Sequence, residues 1–151
     1  MKVKIESEKG FYVGDICYVL SDEVYDAWGD KGYADGIFKD PASGFSFAVA
    51  GTAYGDGTYY DGDGHEYGVD AGVIGIVPLE MVAKKDGVRG GRVIYASGIA
   101  QFEADDGVFD VHFSSGNMAV HINTNSEEED FEDDVDETGF DPYSGCYTYD
   151  C

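Results

Sequence analysis

The residues best suited to chemistry are acidic and lie close together in a glycine-rich stretch, residues 54–70. Five carboxylates fall within it: Asp56, Asp61, Asp63, Glu66 and Asp70. Ca²⁺ takes about six to eight oxygen ligands and favours carboxylates on flexible backbone, so the stretch predicts a divalent-cation site. It differs from the helix-loop-helix calcium loop, because Gly72 stands where that loop ends in Glu. The alternative is that these residues form solvated hairpin turns with no bound ion.

Histidine supplies a second candidate for metal chemistry. The chain has three histidines, His65, His112 and His121, and none lies in a recognised nucleophile motif. If the segments that carry His112 and His121 pair as strands, these two rings and Asp110 form a donor set that zinc accepts. Histidines on a solvent-facing strand are the alternative. Residues 87–91 are glycine-rich but lack the Lys that follows in a phosphate-binding loop, so nothing in the sequence indicates an enzyme.

The chain is strongly acidic. It has 31 Asp and Glu residues against 9 Lys and Arg, for a formal net charge of -22. Such a charge repels nucleic-acid phosphates and anionic lipid headgroups, which argues against direct binding to nucleic acid or membrane. It attracts basic protein surfaces, including those of nucleic-acid-binding proteins. We therefore expect a basic protein partner.

Half of the net charge lies at the C-terminal end. Residues 123–151 hold 11 acidic and no basic residues, whereas residues 1–122 hold 20 acidic and 9 basic residues. We interpret residues 1–122 as a β-rich globular domain and residues 123–151 as an acidic tail that ends in aromatic residues. The tail supplies the side chains expected to contact the partner: Glu127, Glu128, Glu129, Asp130, Glu132, Asp133, Asp134, Asp136 and Glu137.

Cysteine content indicates a reducing compartment. Cys17, Cys146 and Cys151 are an odd number, and their spacing matches neither a disulfide framework nor a paired metal motif. The first ten residues lack the apolar run of a signal peptide, and no segment has the roughly 20 apolar residues of a membrane span. We expect a soluble cytoplasmic protein with no required cofactor, with calcium as the candidate ion of the hairpin.

The elements that must position these groups are mostly strands. Val3 and Ile5 alternate with polar residues, as do Phe45, Phe47 and Val49, which predicts two half-buried strands. Tyrosine-rich segments on both sides of residues 61–64 predict a hairpin. Further strands are predicted at residues 15–20, 73–77, 92–96, 99–103, 108–113 and 118–122, the last four as an antiparallel meander, with a loop at residues 84–91.

Helical signals are few. Ser21 is a good N-cap, the acidic residues after it favour a helix N-terminus, and the predicted helix ends at Gly29. Pro78 ends the strand before it, and one helical turn is predicted to follow. With 22 Gly and 12 Tyr, these signals indicate an α+β or mainly β fold: a curved antiparallel sheet with one short helix and an acidic C-terminal tail.

Three blocks of the chain resemble a family of small uncharacterised proteins of bacteria and their phages. They are GDICYVL at residues 14–20, TAYGDGTY at residues 52–59 and VDAGVIGIVP at residues 69–78. The resemblance covers about the first 80 residues and extends weakly to residues 121–124. It implies a compact β-rich domain and carries no assigned activity.

Charge and resemblance together favour an acidic binding protein that occupies a basic surface of a partner. Immunity proteins and phage anti-defence inhibitors act in this way, and carboxylates that mimic the phosphates of DNA would suit a partner that itself binds nucleic acid. A divalent-cation module on the glycine- and aspartate-rich hairpin is the second hypothesis. A structural protein with no ligand is the third.

Overall fold

The structure is a computed structural model that describes residues 1–115 and 118–126. Within this part the chain forms eleven strands and one α-helix, α1 (Asp22–Gly29). The strands are β1 (Lys2–Ser7), β2 (Phe11–Gly14), β3 (Gly36–Lys39), β4 (Ser46–Gly51), β5 (Gly57–Tyr60), β6 (Glu66–Val69), β7 (Val73–Pro78), β8 (Arg92–Ile94), β9 (Gly98–Asp105), β10 (Val108–Phe113) and β11 (Ala119–Asn123).

The strands form two sheets and a separate hairpin. Sheet A has the order β1-β9-β10-β11, sheet B has the order β3-β4-β7-β2-β8, and β5 pairs with β6. Every pairing among the described strands is antiparallel, so the expected mainly β fold with antiparallel pairing and few helices is confirmed. The one difference is that two packed sheets take the place of a single curved sheet.

The first core lies between sheet A and one face of sheet B. Alternate residues of β7 show the division, because Ile74 and Ile76 enter this core while Val73 and Val77 enter the other. Phe102 and Phe109 of sheet A are completely buried here, and their rings lie 6.0 Å apart. The hairpin adds Tyr59, Tyr67 and Val69 to the same core, which closes one side of it.

The second core lies between the other face of sheet B and a helical layer. Trp28 of α1 packs edge-on against Phe47, with ring centroids 6.3 Å apart. Ser21 caps α1 as expected, since its Oγ accepts a hydrogen bond from the N–H of Val24. Sheet B is therefore buried on both faces, which explains why β2 and β7 are apolar without alternation.

Local sequence explains most of the connections. The meander β9-β10-β11 is confirmed, and its first turn places Asp106 and Gly107 at φ of 50° and 81°, the left-handed pair that a two-residue hairpin requires. The hairpin around residues 61–64 is also confirmed. Pro78 ends β7, and a 3₁₀ turn, Leu79–Met81, follows it as expected.

One sequence prediction about local structure was wrong, and one strand was missed. The apolar run at residues 15–20 was predicted to be a strand, but the strand is β2 and the run forms a 3₁₀ turn, Ile16–Tyr18. A short apolar run signals burial without distinguishing a strand from a turn. Strand β3 was missed, because Ile37 and Lys39 are exposed at the sheet edge and its pattern is weak. The expected loop at residues 84–91 contains a further 3₁₀ segment, Lys85–Gly90.

The folded region extends beyond Ile122. Thr124 is fully buried, accepts a hydrogen bond from the N–H of Ala53 at 2.9 Å and donates one to the carbonyl oxygen of Gly107. Asn125 donates from Nδ2 to the carbonyl oxygen of Asp106. The nine tail carboxylates expected to contact a partner lie outside the described residues. None of the helices that the structure describes has the length and apolar character needed to cross a bilayer.

Candidate functional site

The hairpin separates the five carboxylates that the sequence suggested as cation ligands. Gly57 pairs with Val69, so Asp56 and Asp70 flank the base of the hairpin, while Asp61 and Asp63 lie at its turn. A four-residue strand between the two ends spans about 13 Å. Glu66 lies near the turn, with its Oε1 3.5 Å from the hydroxyl of Tyr60. The five carboxylates therefore form no single cluster.

Asp61 is the centre of a buried polar cluster. Its Oδ1 accepts hydrogen bonds from the N–H groups of Asp63 and His65, both at 2.9 Å. Its Oδ2 accepts from the hydroxyl of Tyr67 at 2.7 Å and from Nη1 of Arg92 at 2.8 Å. Four donors around one carboxylate account for its oxygen lone pairs, so this group acts as a structural anchor for the turn.

The electrostatics of this cluster follow from burial and from these donors. Burial alone would raise the pKa of Asp61, but hydrogen bonds from Tyr67, the N–H of His65 and Arg92 outweigh it and lower the pKa. Burial raises the pKa of Tyr67, and the hydrogen bond to Asp61 raises it further. The tyrosine stays protonated and the aspartate ionised, which keeps the hydrogen bond between them in one direction.

Arg92 and His65 fasten the hairpin to sheet B. Nη1 of Arg92 also contacts Oδ2 of Asp63 at 3.0 Å, and the Arg92 side chain is 19 % exposed. Nε2 of His65 lies 2.7 Å from the carbonyl oxygen of Gly91 and donates to it, while the imidazole ring packs edge-on against Tyr67. The hairpin turn and the start of β8 are thus one polar unit.

A second buried carboxylate, Asp15, has no cationic partner in the described part. Its Oδ1 accepts from the N–H of Cys17 at 2.9 Å, and its Oδ2 accepts from the N–H groups of Asp70 and Ala71 at 2.7 and 2.6 Å. The hydroxyl of Tyr12 donates to the carbonyl oxygen of Asp15. Asp15 therefore joins the turn after β2 to the turn after β6.

The surroundings of Cys17 argue against a reactive thiol. Burial raises its pKa, and the nearby Asp15 carboxylate raises it further. A nucleophilic or redox-active cysteine needs its thiolate near neutral pH, which an electropositive environment provides. Here the neighbouring charge is negative, so the thiol remains protonated.

The histidine cluster considered for zinc forms only in part. Asp110 and His121 face each other on β10 and β11, with Nδ1 of His121 2.6 Å from Oδ1 of Asp110. His112 pairs with Ala119, one step further along the same exposed face. Within residues 1–115 and 118–126, no group of three or more His, Cys, Asp and Glu side chains is arranged to hold a metal ion. The calcium interpretation stays a prediction that binding experiments test.

Most carboxylates of the described part have no cationic neighbour. Residues 1–126 carry 20 acidic and 9 basic side chains, a net charge of -11. The carboxylates that Lys or Arg contacts within this part number four: Asp22, Asp61, Asp63 and Glu103. Of these, only Asp61 is buried. The surface of the described part is therefore anionic, with little internal compensation.

Helix α1 presents a row of like charges to solvent. Asp22, Asp26 and Asp30 are exposed and spaced four residues apart, so consecutive carboxylates lie about 6 Å apart along the axis. Asp26 lies in the second half of the helix and Asp30 is its C-cap, where negative charge opposes the helix dipole, and the last turn contains no basic residue. Asp26 and Asp30 are therefore expected to weaken the C-terminal end of α1, whereas Asp22 lies in the first turn, where negative charge is favourable.

Sequence reasoning missed the two residues that organise the polar interior. The sequence pattern places Asp15 in an apolar run and Arg92 at the start of a strand, and neither position by itself indicates a buried polar contact. For Arg92 one signal exists, because an arginine beginning a strand in a chain with so many acids is a candidate partner for a buried carboxylate. For Asp15 the signal is its place between Gly14 and a buried apolar run, where a cap is needed.

Comparison with known proteins gives no relative: no protein-family model, no curated protein and no solved structure matches the chain. What the chain does must therefore be inferred from its own residues.

Proposed function

We propose that this protein binds a basic surface on a protein partner and blocks it. One observation carries the proposal: in residues 1–126, acids outnumber bases 20 to 9, and Lys or Arg contacts four of those carboxylates. Uncompensated surface charge destabilises the folded chain by self-repulsion, and a cationic partner relieves that repulsion on binding.

The spacing of the negative side chains supports a partner that normally binds nucleic acid. The exposed row on α1 repeats a negative charge about every 6 Å, and the tail adds 11 acidic residues with no base. We propose that these carboxylates compete with phosphates for a basic channel, as an immunity or anti-defence inhibitor would. The proposed setting is the cytoplasm of a bacterium, where an immunity protein or a phage anti-defence protein would act.

The test is capture of basic proteins by the immobilised full-length chain from a bacterial lysate at low salt, followed by elution with duplex DNA. We expect a protein of basic isoelectric point that DNA displaces, because both compete for one cationic surface. Raising the salt should release the same protein, since exposed charges are screened.

Charge variants of the full-length chain locate the contact. One variant changes Asp22, Asp26 and Asp30 to Asn, and a second changes the nine tail carboxylates to Asn or Gln. A third keeps composition and charge but scrambles the order of residues 127–137, which separates recognition from bulk attraction. Retention of no basic protein by the native chain, or displacement by salt but never by DNA, would contradict the proposal.

A further inference from the structure

Strand β1 is an edge of sheet A, with no strand on its outer side among the described residues. Met1 and Ala104 exchange two backbone hydrogen bonds, at 2.9 and 3.0 Å. Hydrogen-bonded and non-hydrogen-bonded pairs alternate in an antiparallel ladder. The backbone N–H and C=O groups of Lys2, Lys4 and Glu6 therefore point away from β9. Such groups are a template for a further strand.

The two edges of sheet A differ in how far they are covered. On β11, the carbonyl oxygen of His121 accepts a hydrogen bond from the N–H of Gly62 in the hairpin turn. On β1, nothing in the described part of the chain hydrogen-bonds to the outward backbone groups. A groove of about 640 Å³ runs beside residues 4–8 and has residues 44–46 on its far side, so there is space next to this edge.

The side chains of β1 alternate between the core and solvent. Ile5 is buried in the first core, whereas Lys4 and Glu6 on either side of it are exposed. Neither exposed side chain has an ion-pair partner within residues 1–115 and 118–126. The open edge therefore carries a free lysine and a free glutamate, two residues apart, on its solvent face.

This charge pattern makes the edge complementary to a second copy of itself. When two copies of β1 run antiparallel about a two-fold axis at Ile5, Lys4 of each copy lies opposite Glu6 of the other. Both residues have outward backbone groups, so each pair exchanges both hydrogen bonds of a bonded pair. The next pair in this register, Lys2 with Glu8, is also of opposite charge, although the N–H of Glu8 is already hydrogen-bonded within its own chain.

Other registers of the same two strands are unfavourable. Sliding one copy by two residues places Lys4 opposite Lys4 in one direction and Glu6 opposite Glu6 in the other. Like charges directly opposite one another destabilise a strand pair, whereas opposite charges stabilise it. Sliding by one residue sets Lys4 opposite Ile5, whose backbone groups bond to β9. A single register therefore satisfies both the backbone groups and the charges.

The net charge of the chain opposes self-association, but the charge at this edge does not. Residues 1–10 hold three lysines and two glutamates, whereas residues 1–126 hold 20 acidic and 9 basic residues. Contact along β1 therefore brings together segments with a small excess of bases. At about 0.15 M salt the Debye length is about 8 Å, which screens repulsion between the more distant charges.

We propose that two copies of this chain associate through β1. The contact joins their two copies of sheet A into one continuous antiparallel sheet, with Lys4 of each copy paired to Glu6 of the other. The inference goes beyond the proposed partner binding, because it needs no basic partner and uses the charges of β1 instead of those of α1 and the tail.

Sedimentation equilibrium of the full-length chain tests this association, under reducing conditions at about 0.15 M NaCl and over rising protein concentration. We expect a reversible monomer–dimer equilibrium. Lys4→Glu and Glu6→Lys each place like charges opposite one another in both pairs, so each should weaken the dimer at least about fivefold. The double variant, Lys4→Glu with Glu6→Lys, restores opposite charges in the same register and should restore the dimer. Lys31→Glu, an exposed site outside β1, is the matched control and should have little effect.

The two single substitutions separate strand pairing from bulk repulsion. Lys4→Glu makes the chain more negative and Glu6→Lys makes it less negative, so net charge alone predicts opposite effects on association. The proposed register predicts a weaker dimer in both. Amide exchange by NMR locates the contact: the N–H groups of Lys4 and Glu6 should exchange more slowly as protein concentration rises. Val3 and Ile5, bonded to β9, should stay protected at every concentration.

Four results would overturn the proposal. A chain that stays monomeric up to millimolar concentration would show that the edge does not pair with itself. Opposite effects of the two single substitutions would assign association to net charge. A double variant that remains monomeric would exclude the register. Exchange of the Lys4 and Glu6 amides that is independent of concentration would place the contact elsewhere. None of these results bears on capture of a basic partner, so the two proposals fail separately.

Discussion

Two buried carboxyl groups, Asp61 and Asp15, have their hydrogen bonds satisfied in the interior by different donors. Asp61 has the guanidinium of Arg92 and the hydroxyl of Tyr67, while Asp15 relies on three backbone N–H groups. A buried charge is costly unless hydrogen bonds replace its water. Both side chains accept hydrogen bonds from loop N–H groups, so each fixes the position of a loop.

Replacing Asp61 by Asn should destabilise the fold by about 2–4 kcal/mol, because it leaves the half-buried Arg92 charge poorly paired and sets an amide against N–H donors. Asp63→Asn is the matched control. Asp63 contacts the same Arg92 nitrogen, but its side chain is 65 % exposed, so the cost should stay below about 1 kcal/mol. Urea unfolding at pH 7 measures both. Equal losses would mean that the Asp61 cluster is not an anchor.

The lowered pKa of Asp61 also predicts a pH dependence. A carboxyl group whose pKa is lower folded than unfolded stabilises the fold above its unfolded pKa of about 3.9, and this stability is lost as pH falls through the folded pKa. The stability difference between the native chain and Asp61→Asn should therefore be constant from pH 7 to about 5 and shrink below about pH 4. Urea midpoints across this range test the sign. A difference that grows in acid would contradict it.

At the scale of elements, the negative charges at the C-terminal end of α1 reduce the stability of the helix. Asp30→Lys replaces an acid at the helix C-terminus with a base, which should stabilise the fold by about 0.3–1 kcal/mol at low salt. Asp22→Lys makes the same charge change in the first turn and also removes the contact with Lys84, so it should destabilise. Thermal unfolding of the two variants separates helix-dipole effects from net charge. A shift in the same direction for both would favour net charge alone.

The segment after β11 gives a second prediction about stability, at Thr124. Thr124→Val keeps the shape of the side chain but leaves the N–H of Ala53 and the carbonyl oxygen of Gly107 without their hydroxyl partner, at a cost of about 1–3 kcal/mol. Thr124→Ser retains the hydroxyl and should cost less. Denaturant unfolding compares them. If valine were tolerated as well as serine, Thr124 would contribute only its methyl group.

Much of the fold could be predicted because its signals are local. The turn at residues 61–64, the cap at Ser21 and the alternation in β1 and β4 each depend on a few neighbouring residues. The failure at residues 15–20 has another origin. After Gly14 the chain leaves the sheet, and Asp15 accepts a hydrogen bond from the N–H of Asp70, 55 residues away. No local sequence pattern shows that contact.

The candidate site was less predictable for the same reason. Sequence spacing grouped Asp56 with Asp61, although a strand of fixed length holds them at opposite ends of a hairpin. The partner of Asp61 is Arg92, 31 residues away, which no spacing rule connects to the hairpin. The sequence predicts that Asp110 and His121 lie close together only if their two strands pair, and the structure shows that pairing.

At the scale of the whole molecule, the charge of -22 should dominate the response to salt. Self-repulsion lowers stability, and NaCl screens it, so the melting temperature should rise as salt is added. Differential scanning calorimetry from low to moderate NaCl measures this. A melting temperature that falls with salt would show that attractive ion pairs outweigh repulsion.

The same experiment separates calcium binding from screening. CaCl₂, MgCl₂ and NaCl are compared at equal ionic strength, with a chelator as reference. A specific site adds stability by mass action beyond the ionic-strength effect, so only Ca²⁺ would raise the melting temperature further. Coincident curves at millimolar Ca²⁺ would exclude the calcium interpretation of the hairpin.

The β9-β10 hairpin holds both ends of the described chain: Met1 on Ala104, and Asn125 on Asp106. The two ends of the described chain therefore lie close together, at the same turn. A linker of a few residues could join Ser126 to Met1. New chain ends could then be placed in the exposed turn at residues 41–44, which interrupts no strand. Folding of such a permuted chain would show that the architecture does not depend on the order in which the strands leave a ribosome.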